Sequence, residues 1–248
     1  MAGVLIVTGG SRGIGGATAV MAGGLGFSVA VNYLQDRNAA ESVVKTIEDG
    51  GGRAVAIQAD VAVEADVVRL FEESDRLLGP PTALVNNAGI LERQMRVDTM
   101  DADRLRRVFA TNVIGSFLCA REAVKRMSTA RGGRGGAIVN VSSKASQIGA
   151  PNEYVDYAAS KGALDTLTLG LAKEVAEEGI RVNAVRAGFI YTEIHARGGE
   201  PNRVDRVKAF VPMKRGGTAD EVARAILWLL SDEASYTTGS FIDVTGGR

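Results

Sequence analysis

The chain of 248 residues has a single cysteine, Cys119, and a single histidine, His195. One cysteine excludes an internal disulfide and a cysteine-built metal site. One histidine argues against a histidine metal centre and against a Ser–His–Asp triad. Neither sign of charge is in excess, with 29 Lys and Arg against 29 Asp and Glu. Bulk attraction to nucleic acid or to an acidic membrane surface is therefore missing. Long apolar runs are missing too, and nothing approaches the ~18 residues of a membrane span. The opening MAGVLIVTGG is apolar only from Val4 to Val7, without a basic flank or a small-residue cleavage pattern. It does not read as a signal peptide. A cytoplasmic protein without metal, membrane or nucleic-acid partner is the expectation.

What is present is alternation. The chain is 46% hydrophobic, enough for one sizeable core. Short β-branched runs suggest strands near Val4–Thr8, Ser28–Tyr33, Arg53–Gln58, Ala83–Asn86, Ala137–Val141, Arg181–Arg186 and Phe241–Val244. Helical patterns lie near Ile14–Leu25, Arg37–Asp49, Glu64–Leu77, Asp101–Met127, Tyr154–Glu178 and Ala219–Leu230. This spacing predicts βαβ units on a parallel sheet with right-handed crossovers. The Gly-rich Arg131–Ala137 reads as a helix-to-strand loop, so nothing divides residues 1–248 into two domains. The irregular stretch Thr192–Phe210, after the sixth strand, is a candidate substrate lid.

The stretch VTGGSRGIGGA follows the first strand and opens the first helix. Gly9, Gly13 and Gly15 do not match the spacing G-x-G-x-x-G. They meet the same demands of a tight turn, close approach to a pyrophosphate and close packing of the helix on the sheet. With Ser11, Arg12 and Ile14 they are expected to hold dinucleotide phosphates at the helix N-terminus. The second strand ends in Asn32 and Tyr33, without the carboxylate that accepts from a ribose 2′-hydroxyl. The nearest acid, Asp36, comes later, and Arg12 and Arg37 are close by. An arginine without that acid suits a 2′-phosphate. NADP(H) is favoured over NAD(H).

With TGGSRGIG, NNAG at Asn86–Gly89, NVSS at Asn140–Ser143 and Tyr157-x-x-x-Lys161 in this order, the chain resembles the short-chain dehydrogenase/reductase family. The resemblance covers essentially the whole length, and bacterial glucose/ribitol-dehydrogenase-like members are the nearest in kind. It implies a Rossmann-type doubly wound α/β fold, with seven parallel strands in the order 3-2-1-4-5-6-7 and helices on both faces. It implies that Asp60 and Val61 border the adenine. Asn87, Ala88, Gly89 and Gly188 would lie beside the cofactor, and Ile190 and Thr192 would hold the nicotinamide carboxamide. Asn112 is implied as the holder of a proton-relay water, and Ser143 as the serine that polarises a carbonyl. It also implies a homotetramer. The two long helices agree with that, being apolar on more than one face at Val113, Phe117, Ala120 and Val124, and at Leu164, Leu167 and Leu171.

Two tyrosines stand near the lysine in EYVDYAASKGA. Residues four apart share a helix face, which Tyr157 and Lys161 satisfy and Tyr154 does not. Lowering a phenol from pKa ~10 to ~7 takes about 4 kcal/mol. One positive charge at about 4 Å supplies roughly that in an effective dielectric of about 20. Lys161 is therefore expected to lower the Tyr157 pKa and to hold the nicotinamide ribose, with Tyr157 as general acid/base. Tyr154 is left to packing or to the pocket.

Several positions depart from the pattern. Ala187-Gly188 stands where Pro-Gly is usual, which predicts a looser turn. Lys144 is expected to point to solvent. Gly23 and Gly24 predict an early, frayed end of the first helix. His195, Glu193, Arg197, Arg203, Arg206 and Lys208 are expected to form a solvated lid surface, and Cys119 to pack.

The leading reading is an NADP(H)-dependent enzyme that interconverts a carbonyl and an alcohol. A ketoacyl-carrier-protein reductase is the alternative within the class. Arg131 and Arg134 suit an acidic carrier, whereas Glu177 and Glu178 would repel it. A dinucleotide-sensing protein without turnover is the alternative outside it.

Overall fold

The computed structural model describes residues 3–248. Strand β1 (Val4–Val7) leads into helix α1 (Gly13–Gly24), β2 (Ser28–Tyr33), α2 (Arg37–Asp49), β3 (Arg53–Gln58), α3 (Glu64–Leu78) and β4 (Pro81–Asn86). Then come α4 (Ala102–Phe109), α5 (Gly115–Met127), β5 (Gly136–Ser143), the short α6 (Ala145–Ile148), α7 (Val155–Val175) and β6 (Ile180–Ala187). Two short helices, α8 (Ile194–Arg197) and α9 (Arg203–Val207), precede α10 (Ala219–Leu230) and β7 (Phe241–Val244). The seven strands form one sheet in the order β3-β2-β1-β4-β5-β6-β7. Every neighbouring pair is parallel.

Strand alternation divides the core. On β1, Leu5 and Val7 join a cluster with α1, α2 and α10, while Ile6 points into the opposite cluster with α3, α5 and α7. Both faces of the sheet are covered, so all four residues of β1 are buried. Among the described residues no helix is long and apolar enough to cross a membrane.

Three expectations about elements change. The helix expected over Asp101–Met127 is two helices joined by a wider π-type turn, Ala110–Ile114. Such turns break the regular hydrogen-bond ladder and are frequent at functional sites. The first helix does not fray at its glycines, because Gly23 is a contact point: a Cβ there would lie 2.5 Å from Ile47 Cγ2 on α2. The turn after β6 is not loose either. The ladder with β7 runs through Ala187, and Gly188 N–H donates to Val244 O at 2.9 Å.

Candidate active site

A cleft of about 810 Å3 opens at the carboxyl ends of the strands. That is where a doubly wound sheet offers backbone and helix N-termini to a ligand. β1 ends against β4: the Thr8 hydroxyl accepts from the Asn87 and Ala88 amides, each at 3.0 Å. The Asn87 side chain donates to Thr8 O at 2.9 Å and Gly9 O at 3.0 Å. Gly9 (φ +60°) and Gly13 (φ +53°) take left-handed backbone that side chains disfavour. Arg12 precedes α1 without capping it by its side chain, which leaves first-turn N–H groups available at the cleft.

Most of the sequence-derived positions meet here. Gly9, Ser11, Arg12, Gly13, Ile14, Asn32, Tyr33, Asp60, Val61, Asn87, Ala88 and Gly89 line one side. Ser143, Tyr157, Lys161, Gly188, Ile190 and Thr192 line the other. Gly15 and Asn112 do not line it. Gly15 lies beneath the loop, where a Cβ would stand 2.4 Å from both Asn87 Nδ2 and Gly9 O. Asn32 reaches the cleft with its side chain already used: Oδ1 accepts from Gly9 N–H at 3.1 Å and Nδ2 donates to Ala59 O at 3.0 Å. It braces the loop instead of offering a free group to a ribose. Arg12 is not a free cation, since it pairs with Asp36 at 2.9 Å. Asp36 also caps α2 by accepting from Ala39 N–H at 3.0 Å.

At the reacting end, Tyr157 and Lys161 sit one turn apart on α7. Ser143 faces them from the end of β5. Lys161 is buried, donates to Val141 O at 2.7 Å, and holds its ammonium 5.6 Å from the Tyr157 ring centre. Burial pushes the Tyr157 phenol up to about 12, with a hydrogen bond to Ser143 pulling the other way. Burial brings Lys161 down to about 8, against the attraction of Asp165. The phenol is therefore raised, not lowered as expected: desolvation of the anionic phenolate outweighs the hydrogen bond to Ser143.

Asn112 is fully buried in the π-type turn. Its side chain accepts from Ile90 N–H at 2.8 Å and donates to Ile90 O at 3.1 Å and Ser160 Oγ at 3.0 Å. It ties the loop after β4 to α7, behind Lys161. A charged neighbour of the turn, Arg104, makes a buried pair with Asp156 at 2.7 Å and donates to Arg93 O at 2.6 Å.

The stretch 192–210 is less solvated than expected. His195 is buried, with Nε2 donating to Ile190 O at 3.1 Å and Nδ1 without a partner. Burial lowers its pKa, so the ring is neutral near pH 7. Arg203 is buried too. It pairs with Glu153 and, at 2.9 Å, with Glu200, and lies 4.9 Å from the Tyr154 ring centre. Glu193, Arg197, Arg206 and Lys208 do stay at the surface. Lys144 does not point to solvent but pairs with Asp243 on β7 at 2.8 Å. Cys119 is buried, and burial raises its thiol to about 12, as packing requires. Cleft residues that sequence reasoning missed include Leu91, Ile148, Pro151, Phe189 and Arg248. Ile148 ends the short α6 and the others lie on connections or at the chain end, so their place depends on folding alone.

Comparison with known proteins agrees with this arrangement. The sequence profile of a family described as enoyl-(acyl carrier protein) reductase matches residues 9–248. An uncharacterised oxidoreductase of Escherichia coli K12, YgfF, is 62% identical over 99% of both chains. A 3-oxoacyl-[acyl-carrier-protein] reductase of Synechocystis is 38% identical over 98% of this chain and 96% of its own. A solved structure, a doubly substituted variant of a Serratia marcescens short-chain dehydrogenase/reductase, superposes with a TM-score of 0.90 at 31% identity. It covers 99% of this chain and 97% of its own.

Proposed function

The chain belongs to the short-chain dehydrogenase/reductase family of oxidoreductases, and on that premise we propose that it is an NADP(H)-dependent enzyme interconverting a small carbonyl compound and its alcohol. Family membership implies a nicotinamide dinucleotide. The residues present fit one: Gly9 and Gly13 form a cradle where side chains are excluded, and the first turn of α1 has no side-chain cap. When bound, the dinucleotide supplies or accepts the hydride. Gly9, Ser11, Gly13 and Ile14 would hold its phosphates, and Asp60 and Val61 its adenine. Ile190 and Thr192 would hold the carboxamide.

The chemistry left to the protein is a proton and a developing charge. Tyr157 Oη donates a proton to the alkoxide in reduction and takes it back in oxidation. Ser143 Oγ hydrogen-bonds the same oxygen, where negative charge appears. Lys161 opposes the desolvation cost of a phenolate and orients the ribose. Asn112 holds the π-type turn through Ile90 and Ser160. The observation that carries this reading is the convergence of Ser143, Tyr157 and Lys161 on the cleft wall opposite the glycine loop.

The preference for a 2′-phosphate rests on a second hollow beside the first, lined by Arg12, Gln35, Asp36, Arg37, Asn38 and Arg197. Three arginines and one carboxylate line it, Arg12 paired with Asp36 and Arg37 with Glu41. NAD(H) is the second reading, favoured by that carboxylate, Asp36. Ketoacyl-carrier-protein reduction is the second substrate reading, supported by the activity named for the Synechocystis relative. A homotetramer is supported by Ile114, Phe117 and Leu169, exposed large apolar side chains on and beside the two long helices. Light scattering of the purified protein reads that state.

The test is a steady-state screen of ketones, aldehydes, sugars and a carrier-bound ketoacyl group, each with NADPH and NADH. A substrate turned over with NADPH preferred is expected. Tyr157→Phe then lowers kcat by at least about 100-fold with dinucleotide affinity nearly unchanged. Retained turnover by that variant would exclude Tyr157 as the general acid/base, and tight dinucleotide binding with no turnover of any carbonyl would exclude the carbonyl–alcohol reaction.

A further inference from the structure

Ser143 stands where β5 leaves the sheet, and its neighbours on both sides are tied to one charged group. Asp165 on α7 accepts from Ser142 Oγ at 2.6 Å through Oδ1. Its Oδ2 accepts from Ser146 Oγ at 2.7 Å and from Arg186 Nε at 2.9 Å. Each serine has a second acceptor, Lys161 O at 3.3 Å and Ser143 O at 2.8 Å, but only one proton. The carboxylate is the shorter contact in both cases and the stronger acceptor. Arg186 continues the chain, 3.6 Å from Asp243 and stacked 3.9 Å over the Phe241 ring. Asp243 in turn accepts from Lys144. Residues 142, 144 and 146 are thus held by one alternating chain of charge, while Ser143, between them, keeps its hydroxyl at the cleft.

Helix spacing joins this chain to the tyrosine and lysine. Tyr157, Lys161 and Asp165 are four apart in turn and share one face of α7. Asp165, Arg186, Ser146 and Asp243 do not line the cleft, so they do not touch a substrate held there. Lys144, Asp165, Arg186 and Asp243 are all partly shielded from water, which strengthens each pair relative to a surface one.

We propose that Asp165, with Arg186 behind it, is the positioning pair of the reacting centre, fixing the Ser143 segment against the helix that carries Tyr157 and Lys161. This rests on reading Ser143, Tyr157 and Lys161 as the reacting set. The pair acts in two ways. Its hydrogen bonds set where the Ser143 hydroxyl stands relative to the phenol. Its net charge sets the field at Lys161, because Asp165 attracts the ammonium and Arg186 offsets that attraction. The other groups around Lys161 are Tyr157 on its own helix, the Val141 carbonyl and the Ser142 hydroxyl from β5, Asn112 from the π-type turn, and the backbone at Gly89, with Ser143 on the same cleft wall. Lys144 and Asp243 lie further along the same charge chain. Of the ionisable groups, only Asp165 is anionic and one turn away.

The test uses the full chain with three substitutions. Asp165→Asn keeps the shape and one acceptor and removes the charge. It is expected to lower kcat by about 10- to 100-fold, the scale of a misplaced catalytic group, with dinucleotide Kd within about twofold of the unaltered protein. The alkaline limb of kcat/KM moves to lower pH. In the ligand-free protein, 15N NMR of the Lys161 ammonium shows its titration moving the same way. Arg186→Gln leaves Asp165 less neutralised, so the Lys161 titration moves to higher pH. Ser146→Ala removes one tie without touching charge. It lowers kcat several-fold, speeds amide exchange over residues 142–148 and leaves the titration in place. If Asp165→Asn does not fold, the other two variants carry the test.

Opposite movement of the Lys161 titration in Asp165→Asn and Arg186→Gln is a signature that loss of packing does not produce. Unchanged kcat in all three variants would overturn the proposal. So would equal losses with no movement of the titration and a matching fall in Tm, which would leave the pair a packing role only. Should Tyr157→Phe prove fully active, the reading of the reacting set fails, while the NMR titration still reports whether the pair governs Lys161.

Discussion

Around Gly9 the wall of the cleft is largely backbone packed on backbone, whereas around Ser143 and the stretch 192–210 it is held by pairs of opposite charge. Among the described residues of the first side the only ion pair is Arg12–Asp36, and both partners are substantially solvated. The holding groups there are amide and carbonyl pairs plus the neutral side chains of Thr8, Asn32 and Asn87. On the second side, Arg104–Asp156, Arg186–Asp165, Lys144–Asp243 and Arg203–Glu153 join positions that are 21 to 99 residues apart. A phosphate site needs neutral donors at close range, which backbone provides without steric bulk. A site that moves a proton needs a controlled field, which fixed charges provide. The two walls fail differently when altered, and that difference can be measured.

The largest expected effect breaks the charged wall. Arg104→Leu leaves Asp156 buried, beside Tyr157, with no counter-charge. Removing one partner of a buried pair costs about 3–5 kcal/mol. Urea unfolding at pH 7 measures it, and a loss under about 1 kcal/mol would show that water reaches this pair.

The contrast between walls also explains what could be read from the sequence. The seven strands, the order of the sheet and the glycine loop were legible, because strand periodicity, a run of glycines and the family motifs are local signals. Tyr157 was separated from Tyr154 by helical spacing, again a local property. His195, Arg203 and Lys144 were misplaced on the surface because their partners, Ile190, Glu153 and Asp243, are chosen by the fold. The π-type turn escaped notice because its residues, Ala110–Ile114, carry the same apolar pattern as a regular helix. The phenol of Tyr157 was expected to be lowered by a neighbour, but the environment that opposes it is desolvation, which no spacing reveals.

Lys161 sharpens the comparison through pH. Its folded pKa, about 8, lies below the ordinary lysine value of 10.5. The unfolded chain therefore binds more protons between those values, and stability rises with pH across that window. Below pH 8 the buried ammonium destabilises the ligand-free fold by up to about 3 kcal/mol. Lys161→Met should raise ligand-free stability at pH 7 and bring little gain near pH 10.5, while abolishing turnover. A variant less stable than the parent at pH 7 would mean that the hydrogen bond to Val141 O outweighs burial.

Gly15→Ala tests the backbone wall. The added Cβ meets Gly9 O, which cannot swing away as a flexible side chain would. Overpacking of this kind costs about 1–3 kcal/mol. Because the loop must shift, dinucleotide affinity falls as well, and fluorescence titration reads it. Here stability and affinity drop together and neither depends on pH, unlike the variants of the charged wall.

The smallest effect comes from two adjacent glycines of the backbone-packed half. At Gly23 a Cβ would press on Ile47 Cγ2, so Gly23→Ala forces α1 and α2 apart and destabilises the fold. At Gly24, the last residue of α1, a Cβ meets nothing within 4 Å. Gly24→Ala therefore removes unfolded-state freedom at no steric cost and should stabilise by about 0.4–1 kcal/mol. In sequence the two positions carry the same helix penalty, and only the distance to α2 gives their substitutions opposite signs. Thermal unfolding of the two variants decides the matter: equal Tm shifts would mean that the α1–α2 contact is looser than its geometry implies.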